Sequence, residues 1–454
     1  MLFWGELEAQ RSCSLKKIFL SLLVGVFFAL NVHANEINKY VKSNSFGDDS
    51  KVGIYVLNSD NNKIIYKKNE CKYLNPASIL KLLTFGVAYD VLGSDYIFET
   101  SLYQDAEKNI YVKLGGDVLL TQKDLNKLVS SLKNVSYKEI FIDDSIFGKE
   151  YYPLSWLDED KWPNQRMISP YIVDSNYVDV AINRSSLSKK IEVIQNDDYK
   201  IAFINELTVG QIHNIDIKRL YGDDSLIVNL QGTVAKDEII HFPVLNPEIY
   251  FNVRLNQALD ENNIIHYNII TPKKVPVDSV KIASVGHSID KVSKLILHNS
   301  DNFSAEVVFK VAASKYFCKD YITLDEAIKM FNKFYAPFLT EGDIIADASG
   351  VSRKNFLSVK TISNCLTKLL KCDKYKNLLP SSNEGTLSER LGFLSDNLRA
   401  KTGTMKSLSS LAGIFKTRNN TNVVFVTIIQ DSNKRKSLLK NFENTLIGLI
   451  YKKY

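Results

Sequence analysis

Strand-forming runs stand at both ends of this chain, and long helices lie between them. Lys51–Val56 alternates apolar and polar residues, Asn58–Asn62 supplies turn chemistry, and Lys63–Lys67 returns as the second arm of a hairpin. Near the other end, Ser407–Thr417 and Val423–Gln430 form a second hairpin around Arg418–Asn422, and an amphipathic helix, Asn433–Tyr451, follows. In between, the spacing of apolar residues predicts helices at Ser78–Leu92, Ile289–His298, Ala305–Ala313, Thr323–Phe334 and Val359–Leu370. Strands at both ends with helices between imply one α/β domain split by a long insertion. The insertion, from about Phe98 to Val280, reads as mostly β: Ile140–Asp143, Lys190–Ile194, Ser225–Leu230 and Glu238–Phe242 are strand-like. Helices are expected there at Gln122–Leu132 and Tyr250–Glu261, and Pro272–Pro276 reads as a linker. No internal repeat is present, and 454 residues exceed one ordinary core, so two or three domains are expected.

Charge and cysteine usage narrow the setting. The formal net charge is +6, but the lysines are scattered, which argues against a nucleic-acid partner. That mild excess suits peripheral association with an anionic wall or membrane surface; ordinary solvated lysine is the plainer reading. Lys16 and Lys17 precede an apolar run, Ile18–Leu30, and Val32-His33-Ala34 follows, the pattern of a secretory signal peptide over 1–34. An uncleaved anchor is the alternative. Glu6 and Glu8 do not suit a charged leader, so the start is expected near Leu15 and Cys13 is not expected in the mature chain. Export makes disulfides permissible among Cys71, Cys318, Cys365 and Cys372, with three pairings and the unpaired state all open. The six histidines are dispersed and form no H-E-x-x-H motif, so neither a metal nor another cofactor is expected.

Three short motifs occur in a chemically meaningful order. Ser78-Ile79-Leu80-Lys81 places a hydroxyl and an amine on one helix face, at the helix N-terminus, where unpaired N–H groups favour developing negative charge. A partly desolvated Lys81 can take the Ser78 proton. Ser130/Lys133, Ser186/Lys189 and Ser288/Lys291 fit the same spacing, but they lie in polar stretches and read as solvated surface. Ser78 differs because Asn75-Pro76-Ala77 leads into a strongly apolar helix. The second motif, Ser300-Asp301-Asn302, sits in a predicted loop between helices; Ser59-Asp60-Asn61 and Ser395-Asp396-Asn397 repeat it without that context. Ser300 can shuttle a proton and Asn302 can bond a substrate backbone. The third, Lys401-Thr402-Gly403-Thr404, opens the terminal hairpin. A K-T-G triplet arises by chance about once in ten chains of this size. There Lys401 and Thr402 can bind a carboxylate, and Gly403 lets a β-strand-like substrate approach. Together the three form a serine acyl-transfer site that needs no histidine.

On these motifs the sequence resembles the class C low-molecular-mass penicillin-binding proteins, the D-alanyl-D-alanine carboxypeptidase/endopeptidase family. Further segments carry the likeness: Gly116-Asp117 with Leu120-Thr121, Ile142–Phe147, Asp347–Arg353 and Gly385–Arg390. Val118 stands where the family has Pro, Ala348 where it has Gly, and Lys406 where it carries neutral groups. The resemblance implies a penicillin-recognising, β-lactamase/transpeptidase-like domain with an antiparallel sheet flanked by helices, assigned here to 35–97 and 281–454. The insertion is then two smaller domains, 98–180 with 250–280 and 181–249. It implies a periplasmic or otherwise extracytoplasmic serine peptidase of the cell wall, with peptidoglycan stem peptides as substrate and β-lactams as covalent inhibitors. The catalytic set is Ser78, Lys81, Ser300, Asn302 and Lys401; the N–H groups of Ser78 and Thr404 form the oxyanion hole; Thr402, Gly403, Asp143 and Arg353 bind substrate. A structural ion pair is the alternative for Arg353. A serine β-lactamase is the rival enzyme reading, and a catalytically retired wall-binding protein the non-enzyme reading.

Overall fold

The structure, a computed structural model, describes residues 36–47, 50–185, 190–220, 222, 225–266 and 270–454. The export signal at 1–34, the start near Leu15, Cys13 and the Ser186/Lys189 pair lie outside the described residues. Two compact units are present. Among the described residues, one comprises 36–74, Ser358–Ser363 and Ser381–Tyr454; the other comprises Asn75–Leu357 and Asn364–Pro380.

The first unit is built on a five-stranded antiparallel sheet. Its order is Leu398–Met405, Leu408–Lys416, Asn422–Gln430, Lys51–Asn58, Lys63–Lys68. The two ends of the chain therefore meet at the centre, where Lys51 pairs with Gln430 and Ile54 with Thr427. Val52–Leu57 and Val423–Ile429 are buried along their whole length, so these strands read as continuous apolar runs. The helix Lys436–Lys453 covers the sheet with Leu439, Phe442, Leu446, Ile447 and Ile450.

The second unit is organised by two helices. Leu80–Leu92 is buried almost all round, which is why its sequence is apolar without a stripe, and it packs on Asn302–Phe317, which is equally enclosed. Residues 97–288 carry a five-stranded sheet in the order Ile270–Pro272, Ile140–Asp143, Ile110–Lys113, Ile97–Gln104, Val280–Ser288. Two three-stranded sheets follow, one of them pairing Ile227–Val234 with Ala202–Val209 in parallel.

Boundaries differ from expectation where capping decides them. The helix expected from Ala305 starts at Asn302, because the Asp301 side chain accepts the Ser304 N–H and caps it. The predicted helix Ile289–His298 changes to a π-helical turn over Lys294–His298, just before Ser300. All four cysteines in the described residues are free thiols, with Cys365 buried. No described helix is long and apolar enough to cross a membrane.

Beneath the sheet, Arg390 Nη2 donates to Glu443 Oε2 at 2.8 Å, and Ser409 Oγ donates to the same oxygen at 3.0 Å. Both residues are buried. Arg390→Met strands the Glu443 charge and is expected to cost about 3–5 kcal/mol in denaturant unfolding. Arg390→Met with Glu443→Leu is expected to recover most of that loss.

Candidate active site

The turn that carries Ser78 is fixed by its neighbours. Asn75 Oδ1 accepts the Ala77 N–H at 2.8 Å, and Asn75 Nδ2 donates to the Ser352 carbonyl at 2.9 Å. Ala77 has φ 49°, a left-handed conformation that costs a residue with a Cβ about 1–2 kcal/mol. Ala77–Ile79 forms a 3₁₀ turn, and the α-helix begins at Leu80 rather than at Ser78. Ser78 is half-buried at this junction, and the helical spacing turns Lys81 toward the same side.

Gly350 presses on the turn from the loop Asp347–Arg353. Its φ is 83°, and a Cβ there would lie 2.1 Å from the Ala77 carbonyl oxygen. Only glycine allows that approach. The loop is folded around the Asp347 carboxylate, which accepts the N–H groups of Gly350 (2.8 Å) and Ser352 (2.6 Å), Trp156 Nε1 (2.8 Å) and Asn355 Nδ2 (2.8 Å).

Lys81 has no exposed surface. Its Nζ donates to Ser78 Oγ at 3.0 Å, to Asn302 Oδ1 at 2.7 Å and to the Ser349 carbonyl at 2.6 Å. Burial pulls its pKa down to about 8, against the pull of the Asp347, Asp301 and Glu306 charges. The amine therefore gives up its proton far more readily than an exposed lysine.

Asn302 opens the helix Asn302–Phe317, and its Nδ2 donates to Gln165 Oε1 at 3.1 Å. Asp301 forms an ion pair with Arg166, whose guanidinium lies 4.4 Å from the Phe303 ring centroid and 4.8 Å from that of Tyr177. Ser300 precedes them with φ 61°. Sequence reasoning brought Ser78, Lys81 and Asn302 together, and the structure places all three in one hydrogen-bonded cluster.

The Lys401–Thr404 segment lies in the other unit, on the edge strand Leu398–Met405. Lys401 is buried, with Nζ donating to the Thr402 carbonyl at 3.0 Å, and Thr402 Oγ1 donates to Thr386 Oγ1 at 2.7 Å. Gly403 and Thr404 pair with Ser410 and Ser409 on one side only, so the other edge presents backbone groups outward. Asp143 is buried and accepts the N–H groups of Ser145 and Val275, each at 3.0 Å. Arg353 is ion-paired with Asp160 and with Glu159, the latter at 3.1 Å. Sequence reasoning missed Arg166, Gln165 and Glu306. A charge four residues beyond Asn302 in a run of Phe303, Val307 and Val308 was the available sign of a buried acid at Glu306.

A serine hydroxyl against a desolvated lysine, at the head of a buried helix in an α/β frame, is the equipment of a serine acyl-transfer enzyme. A family model described as "D-Ala-D-Ala carboxypeptidase 3 (S13) family" matches residues 34–450, and the chain belongs to that family. It is a penicillin-binding serine peptidase of the D-alanyl-D-alanine carboxypeptidase type. It is 24% identical to D-alanyl-D-alanine carboxypeptidase DacB of Haemophilus influenzae, over 95% of this chain and 97% of that protein. It is 22% identical to the D-alanyl-D-alanine carboxypeptidase of Actinomadura sp. strain R39, over 80% of this chain and 74% of that one. The crystal structure of penicillin binding protein 4 (dacB) from Haemophilus influenzae shares the fold, with TM-score 0.80 and 22% identity over 92% of this chain and 99% of its own. The same protein complexed with a β-lactam superposes with TM-score 0.75. The penicillin-recognising fold expected from the sequence is thus present.

Gly350→Ala forces a Cβ into the Ala77 backbone. The variant is expected to lose penicillin acylation by about 10²-fold or more, because displacing a reacting group by an ångström has that effect. Acylation kinetics on folded protein check this.

Proposed function

We propose that Ser78 is the nucleophile and Lys81 its base, in hydrolysis of the D-alanyl-D-alanine bond of peptidoglycan stem peptides. The three contacts of Lys81 Nζ carry this reading. A neutral amine keeps two N–H donors. They suit the two shorter contacts, to Asn302 Oδ1 and the Ser349 carbonyl, which leaves the lone pair facing Ser78 Oγ at 3.0 Å. In that state Lys81 accepts the hydroxyl proton as Ser78 Oγ attacks the penultimate D-Ala carbonyl carbon.

The N–H groups of Ser78 and Thr404 take the oxyanion. The C–N bond then breaks, the amine leaves with a proton relayed from Lys81 through Ser300 with Lys401, and an ester remains on Ser78. Water hydrolyses it and restores the hydroxyl. Lys401 and Thr402 bind the substrate carboxylate, and Gly403 admits its backbone. Arg353 and Asp143 are the outer peptide contacts in this scheme; Arg353 then exchanges its Asp160 and Glu159 partners for a substrate carboxylate. In the same reading, 35–97 and 281–454 form the catalytic domain, and the enzyme works outside the cytoplasm on the wall. The family membership favours this over the β-lactamase and retired-protein readings.

Fluorescent penicillin is expected to label the wild type and leave Ser78→Ala dark. Acylation is expected to speed up as pH rises through about 8 and then level off, because the reactive form of Lys81 is the deprotonated one. Lys81→Arg, which stays charged, is expected to lower the acylation rate about 10²–10⁴-fold at every pH. Labelling of Ser78→Ala sinks the nucleophile assignment.

Digestion of purified cross-linked muropeptides, followed by chromatography, separates two outcomes that share this chemistry. Loss of the terminal D-Ala marks carboxypeptidase action, and appearance of monomers marks endopeptidase action.

A further inference from the structure

The carbonyl that holds Lys81 is itself held from behind. Glu306 stands one helical turn past Asn302, with no exposed surface. Its Oε1 accepts the N–H groups of Ala348 at 2.9 Å and Ser349 at 2.8 Å, and its Oε2 lies 3.1 Å from the Ala348 N. The next N–H along, that of Gly350, donates to Asp347 Oδ1. The carbonyls of the same strap point to the nucleophile's helix: Ala348 accepts Thr84 Oγ1 at 2.7 Å, and Ser349 accepts Lys81 Nζ at 2.6 Å. Residues 348–350 thus form a strap, with its amides on two buried acids and its carbonyls on the helix Leu80–Leu92.

We infer that Glu306 is a positioning residue for acylation, fixing Lys81 against Ser78 through the Ala348–Gly350 strap. This rests on Lys81 being the base. The strap demands an acceptor at both atoms that face it. A carboxylate supplies acceptors only, whereas an amide would turn an NH₂ toward backbone N–H groups. The burial of Glu306 has a second effect. The anions facing Lys81 are Asp301, Glu306 and Asp347. Asp301 is matched by Arg166, and Lys310, the next cation on the Glu306 helix, is matched by Glu150. Removal of the Glu306 charge therefore leaves the Lys81 ammonium less supported. Burial, with Asp347 beside it, pushes the Glu306 carboxyl up to about 7, so its charge is in place above that pH, where Lys81 works.

The test measures fluorescent-penicillin acylation of the full chain against pH, with the non-covalent binding constant and the rate constant separated, and circular dichroism and melting as controls. Glu306→Gln is expected to keep binding within about threefold, lose acylation rate on the order of 10- to 100-fold, and move the rising limb of the pH profile to lower pH. Glu306→Asp keeps the charge but is one methylene short. It is expected to lose rate with the limb unmoved, and it carries the test if Glu306→Gln does not fold. Wild-type rate and an unmoved limb in Glu306→Gln, or wild-type rate in Glu306→Asp, overturn the inference. Failure of the underlying reading shows elsewhere: a wild-type rate that does not climb toward pH 8, or rapid acylation of Lys81→Arg, removes Lys81 as base whatever the Glu306 variants do.

Discussion

The site turns on an ammonium taken out of water. A lysine with no exposed surface is costly unless every donor is met, and Lys81 meets three acceptors supplied by three separate segments. That requirement ties the nucleophile turn, the start of the helix Asn302–Phe317 and the loop at Ser349 into one object. The same burial that makes the arrangement expensive makes the amine a usable base, because the neutral form needs less hydration than the charged one. The burial that costs the ammonium its hydration costs the neutral amine much less, so one feature weighs on stability and favours the uncharged form.

What prevents the cluster from relaxing is backbone more than side chain. Ala77 and Ser300 both hold left-handed φ values, next to Ser78 and to the Asn302 turn respectively. Such conformations persist only where surroundings over-determine them. At Ala77 the surroundings are Asn75, which clasps the turn, and Gly350, whose missing side chain lets two backbones touch. At Ser300 they are the π-helical turn before it and the Asp301 cap, anchored by Arg166, after it. Strain on this scale costs a few kcal/mol, comparable to a sizeable part of net folding stability.

Much of this was legible in the sequence where one signal dominated. Ser78 stood out from other S-x-x-K matches because an unbroken apolar helix followed it, and burial of Leu80–Leu92 is what that apolarity meant. The terminal hairpins were legible because their turns are rich in Asn and each carries a strand that is buried along its length, Val52–Leu57 in one and Val423–Ile429 in the other. The start of the helix at Asn302 was misplaced by three residues because Asp301 reads equally as loop and as cap; only the bond to the Ser304 N–H decides. Arg166 and Glu306 escaped notice for a different reason. Each is defined by a partner far away in sequence, Asp301 for one and Ala348–Ser349 for the other, and the local sign was no more than the apolar run around Glu306. Arg353 reads as a ligand for carboxylates in either setting, and the structure shows it occupied by Asp160 and Glu159.

The pairing of Lys51–Asn58 with Asn422–Gln430 has a consequence for biogenesis. The strand made first, Lys51–Asn58, must wait without that neighbour until Asn422–Gln430 has been synthesised. Closing so large a loop is slow, and an apolar strand left waiting is prone to wrong partners. The edge bearing Lys401 can take shape only after that closure, since it hangs from the sheet through Leu408–Lys416 and Asn422–Gln430. A chain that has not yet made Asn422–Gln430 therefore holds Leu398–Met405 without the sheet that would order Lys401 and its neighbours.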